Sequence, residues 1–445
     1  MSTFLSRRRF LQDAALLAGT VPAAGLLASP SATASTGLAS AGLPKISGPI
    51  QYWSRETEGN GMLEPLIRDR LAAFDKLHGT HTTVEFQIFQ ESVEKTQAAL
   101  AAGIPPDLGQ QGPDVTLDFA AAGDLLPIND VAASLKDKFV PLQKVAFVNY
   151  KGVAYGVPWY TETRVIFYHK DLLAQAGVKP PTNWQELMHT AKALTKGEEQ
   201  FGFLFSPETV SAGQFFIPLS TAAGGNLLDK NGKLTSATGP FKDALQFLAD
   251  LYKAKVMPHA LPTYKGTDTN QLFVLKKAAM YWANGQILQT IKTQYPDLLR
   301  TLGAIKTPPR VAGGTSRSFL GGFELFVFKH GKNPQGGKAL LEFLFDPAWY
   351  ASYLQQTGGA SLPTTKAVAA QGMYQKDPLL KTLIAQQQTA VRYGGTLVGN
   401  APFLGVAEGQ LVYSQPVIDV FTGKRSVDAA VANMFAKLKQ LEQEG

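Results

Sequence analysis

Residues 152–178 read GVAYGVPWYTETRVIFYHKDLLAQAGV, and this stretch decides how the chain is divided. Two tyrosines and a Val157-Pro158-Trp159 corner lead into a polar segment, Thr161 to Arg164. The apolar run Val165 to Tyr168 that follows has the β-branched and aromatic content of a strand buried on both faces. Lys170 and Asp171 then open a short helix that Gly177 stops. A buried strand entered through a polar crossing is what a chain makes when it leaves one α/β lobe and begins another. Trp159 to Arg164 is therefore expected to act as hinge and cleft wall together.

The chain has 445 residues, enough for roughly two domains. A 45% hydrophobic share with 17% charged residues describes an ordered globule. There is no cysteine, which excludes disulfides, thiolate metal sites, a cysteine nucleophile and a lipid-anchored N-terminal cysteine. The formal charge of +7 invites nucleic acid as a partner. The lysines are scattered singly, however, and the dense basic cluster is confined to the N-terminus. No nucleic-acid partner is expected.

That basic cluster, Arg7-Arg8-Arg9, precedes an apolar stretch from Ala14 to Ala28 and a small-residue exit at Ala32-Thr33-Ala34. The order predicts a secretory signal peptide over 1–34, cleaved near Ala34. Paired arginines followed by Phe10-Leu11 resemble a twin-arginine export signal, with an ordinary Sec signal as the alternative. Residues 35–47 read as a flexible arm. A periplasmic or otherwise extracytoplasmic location follows.

Downstream, Pro49–Ser54 reads as a strand. Leu63, Leu66, Ile67, Leu71 and Phe74 follow with helical spacing, and Val84, Phe86 and Ile88 alternate as a second strand. A helix over Val93–Ala102 comes next. This alternation predicts parallel sheets. Thr182 and Gln185 form a capping box before a helix that buries Trp184, and Phe201–Phe205 reads as a strand. Gly321–Phe328 reads as a strand returning to the first lobe. Trp349 is assigned to helix packing.

Val157-Pro158 followed by Tyr168-His169-Lys170-Asp171-Leu172 resembles the extracellular solute-binding proteins of ABC importers, in particular the carbohydrate branch that is maltose-binding-protein-like. Pro106-Asp107-Leu108, Gly123 to Ile128, Ala278-Ala279-Met280 and Ser361 to Thr364 resemble further stations of that family in order. The resemblance implies a two-lobed α/β periplasmic-binding-protein fold, type II-like. Each lobe would be a mainly parallel sheet flanked by helices, with three crossovers near Thr161, Leu320 and Ser361 and a ligand cleft between. Residues 48–161 plus 321–361 would form the N-terminal lobe, and 162–320 plus 362–445 the C-terminal lobe. The partners implied are a small-molecule ligand, a saccharide first, and a membrane ABC permease, with the protein a monomer.

No Gly-x-Ser-x-Gly elbow, Walker loop or His-Glu-x-x-His motif is present. His78 and His81 lie across a polar turn and are read as solvated, so no metal and no cofactor are expected. A sugar needs flat aromatics for its C–H faces and planar polar groups for its hydroxyl pairs. The loops at the predicted strand ends carry this mixture, where ligands sit in open α/β sheets. The candidates are Trp53, Arg55, Glu56, Gln110, Gln111, Trp159, Tyr160, Glu162, Gln214, Phe216, Asn226, Trp282, Asn284, Arg392 and Tyr393. Trp282 and Phe216 fit a core as well as a cleft. By the resemblance, Glu162 falls where the maltose-binding protein places a sugar-contacting glutamate at its hinge. Gln410 stands where that protein has one of its stacking tryptophans, which argues against maltodextrin. Gln110 and Gln111 suit an uncharged, hydroxyl-rich ligand, whereas Arg55, Arg164 and Arg392 suit a uronate or phosphate. A glycerol phosphodiester, a polyamine and a secreted glycosidase using Glu56, Glu58 or Glu162 are the alternatives. A polyamine would need several cleft carboxylates, which these loops mostly lack.

Overall fold

The structure is a computed structural model that describes residues 46–55, 63–87, 91–140, 148–394 and 401–444. The segment expected to be a signal peptide, its expected cleavage site, most of the expected arm, Glu56, Glu58 and Ile88 lie outside the described residues. The flexible arm expected over 35–47 is corrected at its last two described residues, Ile46 and Ser47, which the fold holds. Ile46 is buried in the main core, and the Ser47 carbonyl accepts from Asn333 Nδ2 at 2.9 Å.

Nine strands are described: β1 Pro49–Ser54, β2 His81–Phe86, β3 Leu108–Gln111, β4 Val148–Tyr150, β5 Val153–His169, β6 Leu204–Phe205, β7 Met280–Asn284, β8 Leu302–Ile305 and β9 Leu320–Val327. They run β2-β1-β3-β9-β5-β7-β6, with β4 and β8 also on β5. β1 pairs in parallel with β2 and β3, and β6 in parallel with β7. Helices Leu63–His78 and Ser92–Ala101 make the crossovers of the first group. Every antiparallel pairing between these strands involves β5 or β9.

The reason lies in β5, which is one continuous strand of 17 residues. The polar segment Thr161 to Arg164, expected as an irregular crossing, is part of its ladder. Gly156 to Thr163 pair with β9, whereas Arg164 to Tyr168 pair with β7 and Ile166 to His169 with β8. The strand thus changes partners between Thr163 and Arg164 and belongs to two sheets. Its register on β9 slips between Pro158 and Tyr160. Pro158 has no N–H to give the ladder, and a bulge is where a strand accommodates that.

The bulge carries Trp159 inward. It is 1% exposed and packs among Phe345, Trp349, Tyr350 and Tyr353, with its Nε1 donating to Tyr353 Oη at 3.3 Å. Trp159 is a core residue rather than the cleft wall predicted for it. Opposite the bulge, Gly322 holds φ +127°, where a Cβ would collide with the Tyr160 carbonyl, so only glycine fits.

Two local expectations shift. Asn183 caps the helix Trp184–Leu194, accepting from Glu186 N at 3.0 Å, while Glu186 reaches back to Thr182 N at 2.8 Å. The reciprocal cap therefore sits one residue later than the Thr182–Gln185 pair. The strand expected over Phe201–Phe205 shortens to β6, with Phe201 held by an isolated bridge to Ala278.

Candidate functional site

Three segments meet where β5 changes sheets. Thr161 and Glu162 pair with Gly322 and Gly321, and Thr161 bridges to Leu362 on its other side. Gln387 Nε2 donates to Thr161 Oγ1. At this seam Glu162, with its side chain 22% exposed, accepts from Asn284 Nδ2 at 2.6 Å and pairs with Arg164 Nη2 at 3.1 Å. Asn284 ends β7, directly across from Arg164. The predicted Glu162 and Asn284 are thus brought together, and Arg164 joins them. The Arg164 guanidinium also lies 5.2 Å from the Phe319 ring and 5.8 Å from the Trp282 ring.

The other face of the seam belongs to Arg392, whose guanidinium is 5.1 Å from the same Phe319 ring. Its Nη1 donates to the Leu320 carbonyl at 2.8 Å. Its Nε (3.0 Å) and Nη2 both donate to Asp114 Oδ2. Asp114 stands in the first turn of helix Pro113–Ala122, which leaves the end of β3 through Gly112 and opens with Pro113, a residue suited to that position. Glu408, at the end of helix Phe403–Gly409, lies 3.9 Å from Arg392. It accepts from Tyr393 Oη at 2.7 Å and from Gln214 Nε2 at 3.1 Å. Tyr393 stacks on Tyr413 at 4.1 Å. The predicted Gln214, Arg392 and Tyr393 therefore form one buried polar group.

Two more carboxyls complete it. Asp118 lies one turn beyond Asp114, and the two helices approach there at Gly405, where a Cβ would be 2.8 Å from Asp118 Oδ2. Glu324, on β9 opposite Gln111, is 3% exposed. Burial, then the neighbouring Asp114, pushes the Asp118 carboxyl up to about 8. Burial drives Glu324 well above the ordinary carboxylate value, and Arg392 offsets only part of it. Glu408 is raised by burial against the pull of Arg392. Burial works to lower the Arg392 guanidinium, but Asp114 and Glu408 outweigh it and hold it above its usual value.

Other predicted residues fall elsewhere. Gln110 spends its carbonyl internally, accepting from Tyr52 Oη at 3.0 Å and Arg55 N at 3.4 Å. Gln111 accepts from Arg55 Nη1 at 2.6 Å, and Arg55 lies 4.7 Å from the Phe323 ring, which Tyr160 meets edge-on. Trp53, Gln110 and Gln111 line a shallow depression with Gln87 and Phe326. Phe216 is buried against Phe241, and Trp282 is buried beside Phe215 with its Nε1 on Thr307 Oγ1 at 3.0 Å. Both are core residues. Asn226 is exposed on a turn, accepting from its neighbour Leu228 N at 3.3 Å. It lies beyond the end of helix Ser211–Ala222, whose stretch from Gln214 to Ala222 spans about 12 Å at ~1.5 Å per residue.

Residues 54–351 match the family described as bacterial extracellular solute-binding protein. The chain belongs to that family. Among relatives of this solute-binding protein, the sn-glycerol-3-phosphate-binding periplasmic protein UgpB of Escherichia coli (strain K12) is 24% identical over 379 residues, 79% of this chain and 83% of the relative. The diacetylchitobiose binding protein DasA of Streptomyces coelicolor is 24% identical over 293 residues, 63% of this chain and 66% of the relative. The GacH receptor of Streptomyces glaucescens GLA.O, solved unliganded and with acarbose, superimposes with a TM-score of 0.75 at 22% identity, covering 89% of this chain and 99% of that one. This solute-binding protein therefore has the two-lobed fold of sugar-binding proteins of ABC importers, whose members are extracytoplasmic and bind substrates rather than convert them.

Asp114, Asp118, Glu324 and Glu408 were absent from the sequence-level candidates. A signal existed for three of them. Asp114 and Asp118 are four apart on a helix that opens at a strand's C-terminal end, and Glu324 interrupts an otherwise apolar strand, Gly321 to Phe328. Glu408 offered none, since its place beside Arg392 depends on a loop return.

Proposed function

We propose that this protein captures a saccharide between two halves hinged at Thr161–Thr163, Leu320–Gly322 and Leu362, and presents the closed form to a membrane permease. The N-terminal half would comprise 48–161 and 321–361, and the other half 162–320 and 362–445. The observation that carries this is the partner change of β5 between Thr163 and Arg164, with Glu162, Asn284 and Arg392 gathered beside it. A ligand that touches both halves only when they meet has differential affinity for the closed state, and that difference drives closure. The cleft's hydrogen-bonding groups are planar carboxylates, amides and guanidinium groups, which suit paired hydroxyls.

Calorimetry against a saccharide panel tests capture, and X-ray scattering with the hit tests closure. A bound sugar with a smaller radius of gyration is expected; failure of every saccharide would sink the proposal. Glu162→Gln should weaken that hit by about 1–3 kcal/mol, the value of a hydrogen bond to a charged group. Unchanged affinity would remove Glu162 from the contact surface. Likeness to UgpB favours a second reading, a glycerol phosphate ester, so glycerol 3-phosphate belongs in the panel. Arg392 already gives its donors to Asp114 and the Leu320 carbonyl, which weighs against a phosphate there. The N-terminal segment is proposed as a twin-arginine signal cut near Ala34. N-terminal sequencing of the secreted protein checks the cut, and export in a strain lacking the twin-arginine translocase checks the route.

A further inference from the structure

Glu162 and Arg164 stand two residues apart on β5, so their side chains leave the same face of the strand. The Glu162 carboxylate is held on several sides. Arg164 Nη2 lies 3.1 Å from its Oε1, and Asn284 Nδ2 donates to its Oε2 at 2.6 Å. Gly321, paired with Glu162 across the ladder, leaves room for it, since a Cβ there would collide with Oε1. Asn284 is held by the chain at its other end too, its Oδ1 accepting from Gln286 N at 3.1 Å. It therefore orients Glu162.

Arg164 is less completely satisfied. It is 8% exposed, and its Nη1 is buried with no hydrogen-bond partner. The Phe319 and Trp282 rings, 5.2 and 5.8 Å from the guanidinium, attract the cation without supplying an oxygen. A buried N–H of a charged group left without an acceptor is costly, and a ligand that brings one recovers the cost. The Glu162 side chain beside it is 22% exposed, so solvent reaches this face there.

The charge, by contrast, is accounted for. Arg164 faces Glu162, and Arg392, 5.1 Å from the same Phe319 ring, gives Nε and Nη2 to Asp114. Each guanidinium has its carboxylate, so Arg164 lacks an acceptor and not an anion. A phosphate or uronate would supply the acceptor but bring negative charge up to Glu162. An ammonium would set donors against a donor. A hydroxyl oxygen accepts without charge, and its neighbour on a sugar ring supplies an O–H for Glu162 at the same time.

We infer that Arg164 is a ligand-binding residue that selects an uncharged diol: one sugar oxygen accepts from Nη1 while the adjacent hydroxyl donates to Glu162. The inference rests on the saccharide-capture reading of this cleft. It reverses the sequence-level view in which Arg164 suits a uronate or phosphate. It also separates the two readings of the ligand, since a glycerol phosphate ester carries the charge this pair disfavours.

The test is calorimetry of the secreted protein with the neutral disaccharides of the panel, maltose, cellobiose and trehalose among them, each beside its 6-phosphate, and with glycerol 3-phosphate. A neutral sugar should bind at least about tenfold more tightly than its phosphate ester. Its affinity should change less than about threefold between about 0.05 and 0.5 M salt. Arg164→Lys keeps a charge for Glu162 but loses the second arm of the fork, so the same sugar should bind at least about tenfold more weakly. Removing that sugar's hydroxyls one at a time locates the contact. One monodeoxy form should lose affinity for wild type and lose none for Arg164→Lys, a pattern that a purely structural arginine does not produce. A phosphate ester or glycerol 3-phosphate that binds as tightly as the neutral sugar overturns the inference and leaves saccharide capture standing. A monodeoxy series that reads alike in the two proteins does the same. Binding of no saccharide at all overturns both. The comparison of neutral sugar with phosphate needs no variant to fold.

Discussion

Removing one partner of a buried ion pair is more damaging than removing both, and Arg392 with Asp114 is the place to measure it. The two side chains are 4% and 3% exposed. Arg392 directs Nε and Nη2 to Asp114 Oδ2 and Nη1 to the Leu320 carbonyl, so Arg392→Met removes three donors from a dry site. Methionine fills much of the volume but leaves the Asp114 charge without its partner. A buried charge stripped of its partner costs about 3–5 kcal/mol. The packed unit spans Ile46–Gly445, and its main apolar core is contiguous through β5. At ~2.1 cal/mol/K per residue over about 400 residues, the unfolding entropy is about 0.84 kcal/mol/K, so the expected loss is about 4–6 °C in Tm. Arg392→Met with Asp114→Asn should recover at least about 2 kcal/mol of it, because the Asp114 charge is no longer left without its partner. The assay is a double-mutant cycle by denaturant titration and calorimetry without ligand. A cost below about 1 kcal/mol for Arg392→Met, the worth of an exposed pair, would refute the reasoning. It would mean that the two side chains are hydrated in the folded protein.

The Asp118 carboxyl titrates near 8 in the folded chain against 3.8 for the ordinary group, so its folded form holds a proton that the unfolded chain has already released. That contribution is complete below pH 3.8 and is lost as pH rises toward 8. Asp118→Asn should therefore gain stability on wild type between pH 5 and pH 8, by up to about 4 kcal/mol at ~1.36 kcal/mol per unit; parallel Tm curves for the two proteins over that range would contradict it. Gly322→Ala forces a Cβ onto the Tyr160 carbonyl at φ +127°. It should cost more than about 1 kcal/mol by denaturant titration, and a neutral outcome would show that the seam at β5 and β9 adjusts freely.

Much of the fold was legible because its signals are local. β1 matched its expected bounds residue for residue, and helix Leu63–His78 followed from the apolar spacing of Leu63, Ile67, Leu71 and Phe74. The polar run at Thr161 to Arg164 misled, since polarity in a strand is as consistent with a seam between two sheets as with a loop. Trp159 misled for a related reason. An aromatic beside a proline reads as exposed, but the bulge that Pro158 imposes turned it into the core. Glu162 and Asn284 were singled out because both end or flank apolar strands, whereas their contact is made across 122 residues of chain.

Composition and periodicity alone determined that this is a cysteine-free α/β globule whose chain passes between two sheets, because burial patterns repeat with the period of each element. Only the tertiary structure decided which polar side chains share the seam. Asp114 and Arg392 are 278 residues apart, and Glu408 arrives from a third segment. No window of sequence contains that meeting, since which polar side chains share a buried volume depends on how distant segments fold together.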